Sequence, residues 1–169
     1  MATILLKGNP VHTRGDLPAV GSSAPDFRLT RNDLSDVSLA DFAGKVRILN
    51  IVPSLETSVC ALSAKRFELD VKKRPGFVVL TICRDVPFAQ GRFCKAEGVE
   101  NVVMLSEMRD RVFGKTYGVE MTDGPMEGLL SRAVVAVDSS GKVVYTEQVP
   151  EIGREPDYQK VLSAVQGLI

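Results

Sequence analysis

The stretch VRILNIVPSLETSVCALSAKRF, Val46 to Phe67, changes character at its middle, and the rest of the chain can be read outward from that change. Val46 to Val52 is a short, mostly apolar run rich in β-branched residues, the signature of a buried strand. Pro53 ends it, because proline has no N–H to give to a sheet ladder. Thr57 and Ser58 are both good N-cap residues, and a helical pattern follows from Val59 to Lys73. A strand thus passes to a helix through a short loop, with Cys60 in the first helical turn.

The same alternation continues downstream. FVVLTIC (Phe77 to Cys83) reads as a strand, Pro87 to Glu97 as a short helix, and VVML (Val102 to Leu105) as a short strand before another helix. Strands alternating with helices imply crossover units and a largely parallel inner sheet. RAVVAVD (Arg132 to Asp138) and KVVYTEQV (Lys142 to Val149), joined by Ser139-Ser140-Gly141, should pair as an antiparallel hairpin. The last segment places Tyr158, Leu162 and Val165 at helical spacing after Pro156, which predicts a closing amphipathic helix. The first forty-odd residues read as short strands, TILLKG, PVHT, FRLT and VSLADFAG, added to this frame. The expected fold is α/β: a mixed central sheet flanked by helices, with an N-terminal β extension.

At 169 residues, 44% hydrophobic and 25% charged, the chain suits a single domain, 1–169, with a full core and no repeat or linker. Basic and acidic residues balance, 21 against 21, so no net field draws it to nucleic acid or an anionic membrane. The apolar run Ile4-Leu5-Leu6 is too short for a signal or a span and lacks a basic region before it. A cytoplasmic protein is expected. Cys60, Cys83 and Cys94 are too few and too scattered to staple a secreted fold, so any role they have is chemical.

Two readings of Cys60 stand side by side. In a first helical turn, unpaired N–H groups and the positive end of the helix dipole favour an anion, which would activate a thiol. Equally, Cys60, Ala64, Phe67 and Val71 form one apolar stripe, and free cysteine is often buried. Cys83, at the end of an apolar strand, is expected to be inert core.

Pro53-x-x-x-Thr57-x-x-Cys60 resembles the active-site signature of the peroxiredoxins. PSLETSVCA, VPFAQGRFCKAEG and DGPMEGLLSRAVVAVD, in that order, are together similar to the thiol peroxidase branch, the atypical two-cysteine peroxiredoxins, over nearly the whole chain. The resemblance implies a thioredoxin-like fold and a peroxidase. It makes Cys60 the peroxidatic cysteine, Cys94 the resolving one, Thr57 the hydroxyl that bonds the peroxide, Pro53 a shield over the pocket and Arg132 the cation beside the sulfur. It also implies an intrasubunit Cys60–Cys94 disulfide, thioredoxin as reductant, a homodimer, no metal or organic cofactor, and alkyl or lipid hydroperoxides as preferred substrates. Glu56 departs from the aspartate more usual in this branch.

Each role has a physical basis. A guanidinium offsets the desolvation of a thiolate and stabilises charge on the departing oxygen. A disulfide needs Cα atoms within about 7 Å, so cysteines starting on different helices require local unwinding; Gly91 inside the second helix would ease it. Met126, Leu129 and Leu130 either line a groove for a substrate chain or pack as core.

Other chemistries fit less well. A dithiol oxidoreductase needs Cys-x-x-Cys, and here Ser63 stands at the fourth position. A cysteine hydrolase would need His12, the only histidine, as its base. Cys60, Cys83, Cys94 and His12 lack the short spacing of structural zinc sites. A peroxide sensor that passes its oxidation to a partner remains open as an alternative.

Overall fold

In the computed structural model, which describes residues 1–74 and 76–168, the alternating runs assemble as expected into a mixed seven-stranded sheet. Its strands are β3 (Leu29–Thr30), β4 (Asp36–Val37), β5 (Val46–Ile51), β6 (Phe77–Cys83), β7 (Val103–Ser106), β8 (Ala133–Val137) and β9 (Val143–Gln148), in the order β4-β3-β7-β6-β5-β8-β9. Neighbours β5, β6 and β7 pair in parallel; β8 and β3 join them antiparallel at either side. β1 (Thr3–Leu6) and β2 (Asn9–His12) form a separate antiparallel hairpin.

The crossovers explain why two helices share a face. Helix α1 (Ser58–Lys73) links β5 to β6, and α2 (Pro87–Glu97) links β6 to β7. Both steps move in the same direction across neighbouring parallel strands, so with one handedness both helices lie on one side. They pack there with α4 (Tyr158–Gln166) against Ile48, Val79, Met104 and Val134. The alternate residues Leu49, Leu80, Leu105 and Val135 point to the opposite face. That face is covered by Phe113 and Tyr117, from and beside the short α3 (Val112–Thr116), and by Phe27 and Leu29.

The N-terminal segment departs from a run of simple strands. FRLT pairs only through Leu29 and Thr30, and Leu39–Phe42 is a 3-10 turn rather than a strand. The Asp41 carboxylate accepts a hydrogen bond from the Ser38 N–H at 2.7 Å, bending the chain there.

The functional consequence lies at one end of the sheet. The loop carrying Cys60 follows β5, Arg84 and Asp85 follow β6, and Glu107 follows β7, all at carboxyl ends of the parallel strands. β8 runs the other way, and its first residue, Ala133, is paired with Ile51, the last of β5. Arg132 therefore arrives at that same end, where open α/β sheets place their sites.

Candidate active site

Thr57 caps α1, its Oγ1 accepting from the Cys60 N–H at 3.3 Å. The same hydroxyl donates to the Ser54 carbonyl at 3.2 Å. Cys60 therefore sits at the third helical position of a sixteen-residue helix, within reach of its positive end. The expected apolar stripe is also present: Cys60, Ala64 and Phe67 are wholly buried, and Val71 packs against them. At the head of that stripe, however, the sulfur meets a cation.

Arg132 Nη1 donates to Cys60 Sγ at 3.3 Å, and both residues are buried, 2% and 0% exposed. Among the described residues Arg132 forms no ion pair with a carboxylate; its Nε donates to the main-chain oxygen of Ile152 at 2.8 Å. Burying a guanidinium without a counter-ion is expensive. An ionised Cys60 would supply the missing negative charge.

The N-terminal hairpin helps to aim this arginine. Leu5 exchanges main-chain hydrogen bonds with Pro150 and Ile152, so the carbonyl that holds Nε is itself held by β1. The Glu151 carboxylate accepts from the N–H groups of Lys7 and Gly8 at the hairpin turn. On the other side, Gln148 Nε2 and the Val149 N–H both donate to the Arg132 carbonyl.

Cys94 lies on α2, half-buried, against the same apolar cluster as Cys60. Burial raises its thiol pKa, the nearby Glu68 adds to this, and Asn32 opposes it. All three cysteines are free thiols. Between α1 and α2 a cleft of about 480 Å³ is lined by Leu55, Thr57 and Ala61 on one side and Arg92, Phe93 and Ala96 on the other. The bridges across it, Glu56 to Arg92 and Lys65 to Glu97, are exposed ion pairs that resist opening weakly.

α2 is lightly anchored. Its buried residues are Pro87, Gln90 and Phe93; Gln90 Nε2 donates to the Leu105 carbonyl at 3.0 Å, while its Oε1 has no hydrogen-bond partner among the described residues. A Cβ at Gly91 would meet nothing nearer than Asn32 at 3.9 Å, so packing does not demand glycine there. Gly98, at φ 69°, closes the helix in the left-handed region.

Cys83 is buried, and desolvation, reinforced by the charge of Asp85, pushes its thiol up to about 12. Gln90 Nε2 lies 3.3 Å from its sulfur. Pro53 is buried in the loop before Cys60. His12 contacts Asp123, Nδ1 to Oδ2 at 2.6 Å. Among the described residues no cluster of His, Cys, Asp or Glu is arranged to hold a metal ion. No described helix is long and apolar enough to cross a membrane. The three apolar residues near Arg132 divide: Leu130 is fully buried core, while Met126 and Leu129 pack beside Ile4 and Val11 of the hairpin.

Several supporting groups lay outside the sequence reading. Asp85 holds the Cys60 loop through Ser54 and the Leu55 N–H. Glu68 of α1 accepts from the main-chain N–H groups of Glu100, Asn101 and Val102, tying the loop after α2 to α1. Burial alone would raise the Glu68 carboxyl, yet these donors outweigh it and hold its pKa below the ordinary value. Arg84 bridges Glu107 and Glu120 in a buried ion-pair network that also reaches Arg14. The available signal was position alone: each of Ser54, Asp85 and Glu107 follows a parallel strand closely.

The redoxin family model matches residues 19–162. A thiol peroxidase of Mycobacterium tuberculosis is 52% identical over 165 residues, 98% of this chain and 99% of that one. A thiol peroxidase of Leptospira interrogans is 47% identical over 171 aligned positions, covering all of both chains. Among solved structures, a peroxiredoxin-like protein from Aquifex aeolicus superposes with a TM-score of 0.94 at 38% identity, covering 100% of this chain and 98% of that one.

Proposed function

Because the chain belongs to the thiol peroxidases of the redoxin family, peroxidase enzymes with a thioredoxin-like peroxiredoxin fold, we propose that Cys60 is its peroxidatic cysteine and Cys94 its resolving one. The observation that carries this reading is the buried contact between Arg132 Nη1 and Cys60 Sγ, 3.3 Å long. An arginine with no carboxylate partner among the described residues stabilises a thiolate there, and the helix N-terminus adds to it.

The Cys60 thiolate attacks one oxygen of the hydroperoxide in line. An S–O bond forms as the O–O bond breaks; sulfur is oxidised by two electrons and the peroxide reduced. The departing oxygen takes a proton and leaves as water or an alcohol. Arg132 stabilises the charge that develops on the oxygens, joined by the Thr57 hydroxyl as its one proton turns from the Ser54 carbonyl to the peroxide, and Pro53 shields the pocket from bulk water. Cys94, as its thiolate, then attacks the sulfenic sulfur: an S–S bond forms, the S–O bond breaks, and hydroxide leaves to become water. A dithiol of the thioredoxin class returns both cysteines to thiols by exchange. Hydrogen peroxide and alkyl or lipid hydroperoxides are the substrates, and the enzyme works as a homodimer whose subunits each close their own disulfide.

The test is turnover. With thioredoxin, its reductase and reduced nicotinamide cofactor, the full chain should consume many equivalents of peroxide. Consumption that stops after one equivalent would mark a sensor instead.

A further inference from the structure

Cys60 has no exposed surface, so the loop that covers it must be held closely enough to react and loosely enough to open. One side chain outside that loop grips it. Asp85 accepts from Ser54 Oγ with both carboxylate oxygens, at 2.9 and 3.1 Å, and from the Leu55 N–H at 2.8 Å. The grip continues inward. The Ser54 carbonyl accepts from both the Thr57 N–H and the Thr57 hydroxyl, and that hydroxyl accepts from the Cys60 N–H. Ser54 and Thr57 thus connect the Asp85 carboxylate, after β6, to Cys60 in the first turn of α1.

Asp85 is also fixed from behind and tied to the second helix. Its main-chain oxygen accepts from Ser106 Oγ at 2.5 Å, at the end of β7. It stands two residues before Pro87, where α2 begins. An unwinding of α2 from its start therefore disturbs the residue that secures the Cys60 loop.

We propose that Asp85 is a positioning residue that fixes the Cys60 loop in its reactive shape and releases it when α2 unwinds, so that the two movements needed for disulfide closure occur together. The inference rests on the two-cysteine reading above. While the clamp is closed, Thr57 is aimed and the sulfur meets peroxide in the right geometry. Once it opens, the Cys60 loop moves toward Cys94. A weakened clamp slows the first oxidation and favours disulfide over a second oxidation of the sulfenic acid by excess peroxide.

The test uses the full chain as wild type, Asp85→Ala, Asp85→Asn and Ser54→Ala. The last keeps the carboxylate and its bond to Leu55, and serves if Asp85→Ala fails to fold. Rapid quench with intact mass gives the rate of Cys60 oxidation by hydrogen peroxide and, at excess peroxide, the ratio of disulfide to sulfinic acid. For Asp85→Ala the oxidation rate should fall about tenfold, the size expected when charge-assisted hydrogen bonds in a half-buried loop are lost. The disulfide ratio should rise several-fold, with Asp85→Asn and Ser54→Ala in between. Amide exchange at Leu55 to Thr57 in the reduced protein should quicken in each variant, a readout that needs no peroxidase activity. An unchanged or lower disulfide ratio, or unchanged exchange in those amides, overturns the proposal. Failure of the wild type to consume peroxide would instead overturn the two-cysteine reading, and the exchange data would still judge the clamp.

Discussion

Replacing Arg132 probes the site most sharply, because its guanidinium faces the sulfur at 3.3 Å in a buried setting. Two unit charges at that separation attract by about 5 kcal/mol at an effective dielectric constant of about 20. The guanidinium charge is spread over three nitrogens and the helix N-terminus remains, so Arg132→Met should lose about 2–4 kcal/mol of stabilisation. Converted at 1.36 kcal/mol per tenfold, this is a loss of about 30- to 1,000-fold in the rate of Cys60 oxidation. Rapid-quench mass spectrometry of the reduced chain under limiting hydrogen peroxide measures it. Arg132→Lys keeps the charge but loses the fork that also reaches the Ile152 carbonyl, so its loss should fall between wild type and Arg132→Met. The sign on stability should depend on Cys60. In a Cys60→Ser background Arg132 is a buried cation with no anionic partner among the described residues, and Arg132→Met should raise the melting temperature there. An oxidation rate within about threefold of wild type for a folded Arg132→Met chain would refute the electrostatic argument.

Other changes test the surroundings. Gly91→Ala should stabilise α2 by about 0.5–1 kcal/mol, since the position is helical and roomy; if α2 must unwind, disulfide formation slows by about two- to fivefold in a single-turnover assay. The Cys83 thiol, raised by burial to about 12, should resist alkylation in the native protein at neutral pH. With its folded pKa above its unfolded one, its stabilisation is complete below about 9 and is lost as pH rises toward 12, with a slope of up to about 1.4 kcal/mol per pH unit; Cys83→Ala should flatten that alkaline limb in urea denaturation. Glu68 is the opposite case. Its depressed carboxyl stabilises the fold above the ordinary carboxylate pKa and ceases to as pH falls through its lowered value, so Glu68→Gln should cost about 1.5–3 kcal/mol at pH 7 and lessen acid sensitivity.

What could be read before folding was whatever is local in the chain. The strand, proline, cap and helix around Cys60 follow from residues within a few positions of one another, as does the hairpin closed at Ser139-Ser140-Gly141. The 3-10 turn at Leu39–Phe42 had a local signal too, Ser38 followed by Asp41, though the apolar residues around it suggested a strand. The pairing of Arg132 with Cys60 was different. It depends on Ala133 coming into register with Ile51 across the sheet, which no spacing in the sequence reveals; only family resemblance suggested it. Asp85 and Glu68 act through main-chain N–H groups of distant loops, and such partners have no side-chain identity to betray them. Met126, Leu129 and Leu130 could not be sorted into groove or core because apolar character is common to both.

Intact mass after one equivalent of hydrogen peroxide, on wild type, Cys60→Ser and Cys94→Ser, tests the assignment of the sulfurs most directly. The expected pattern is loss of two hydrogen atoms in wild type, gain of oxygen in Cys94→Ser, and no peroxide consumed by Cys60→Ser. Oxygen retained by the Cys60→Ser chain, or a disulfide that still forms without Cys94, would contradict the account.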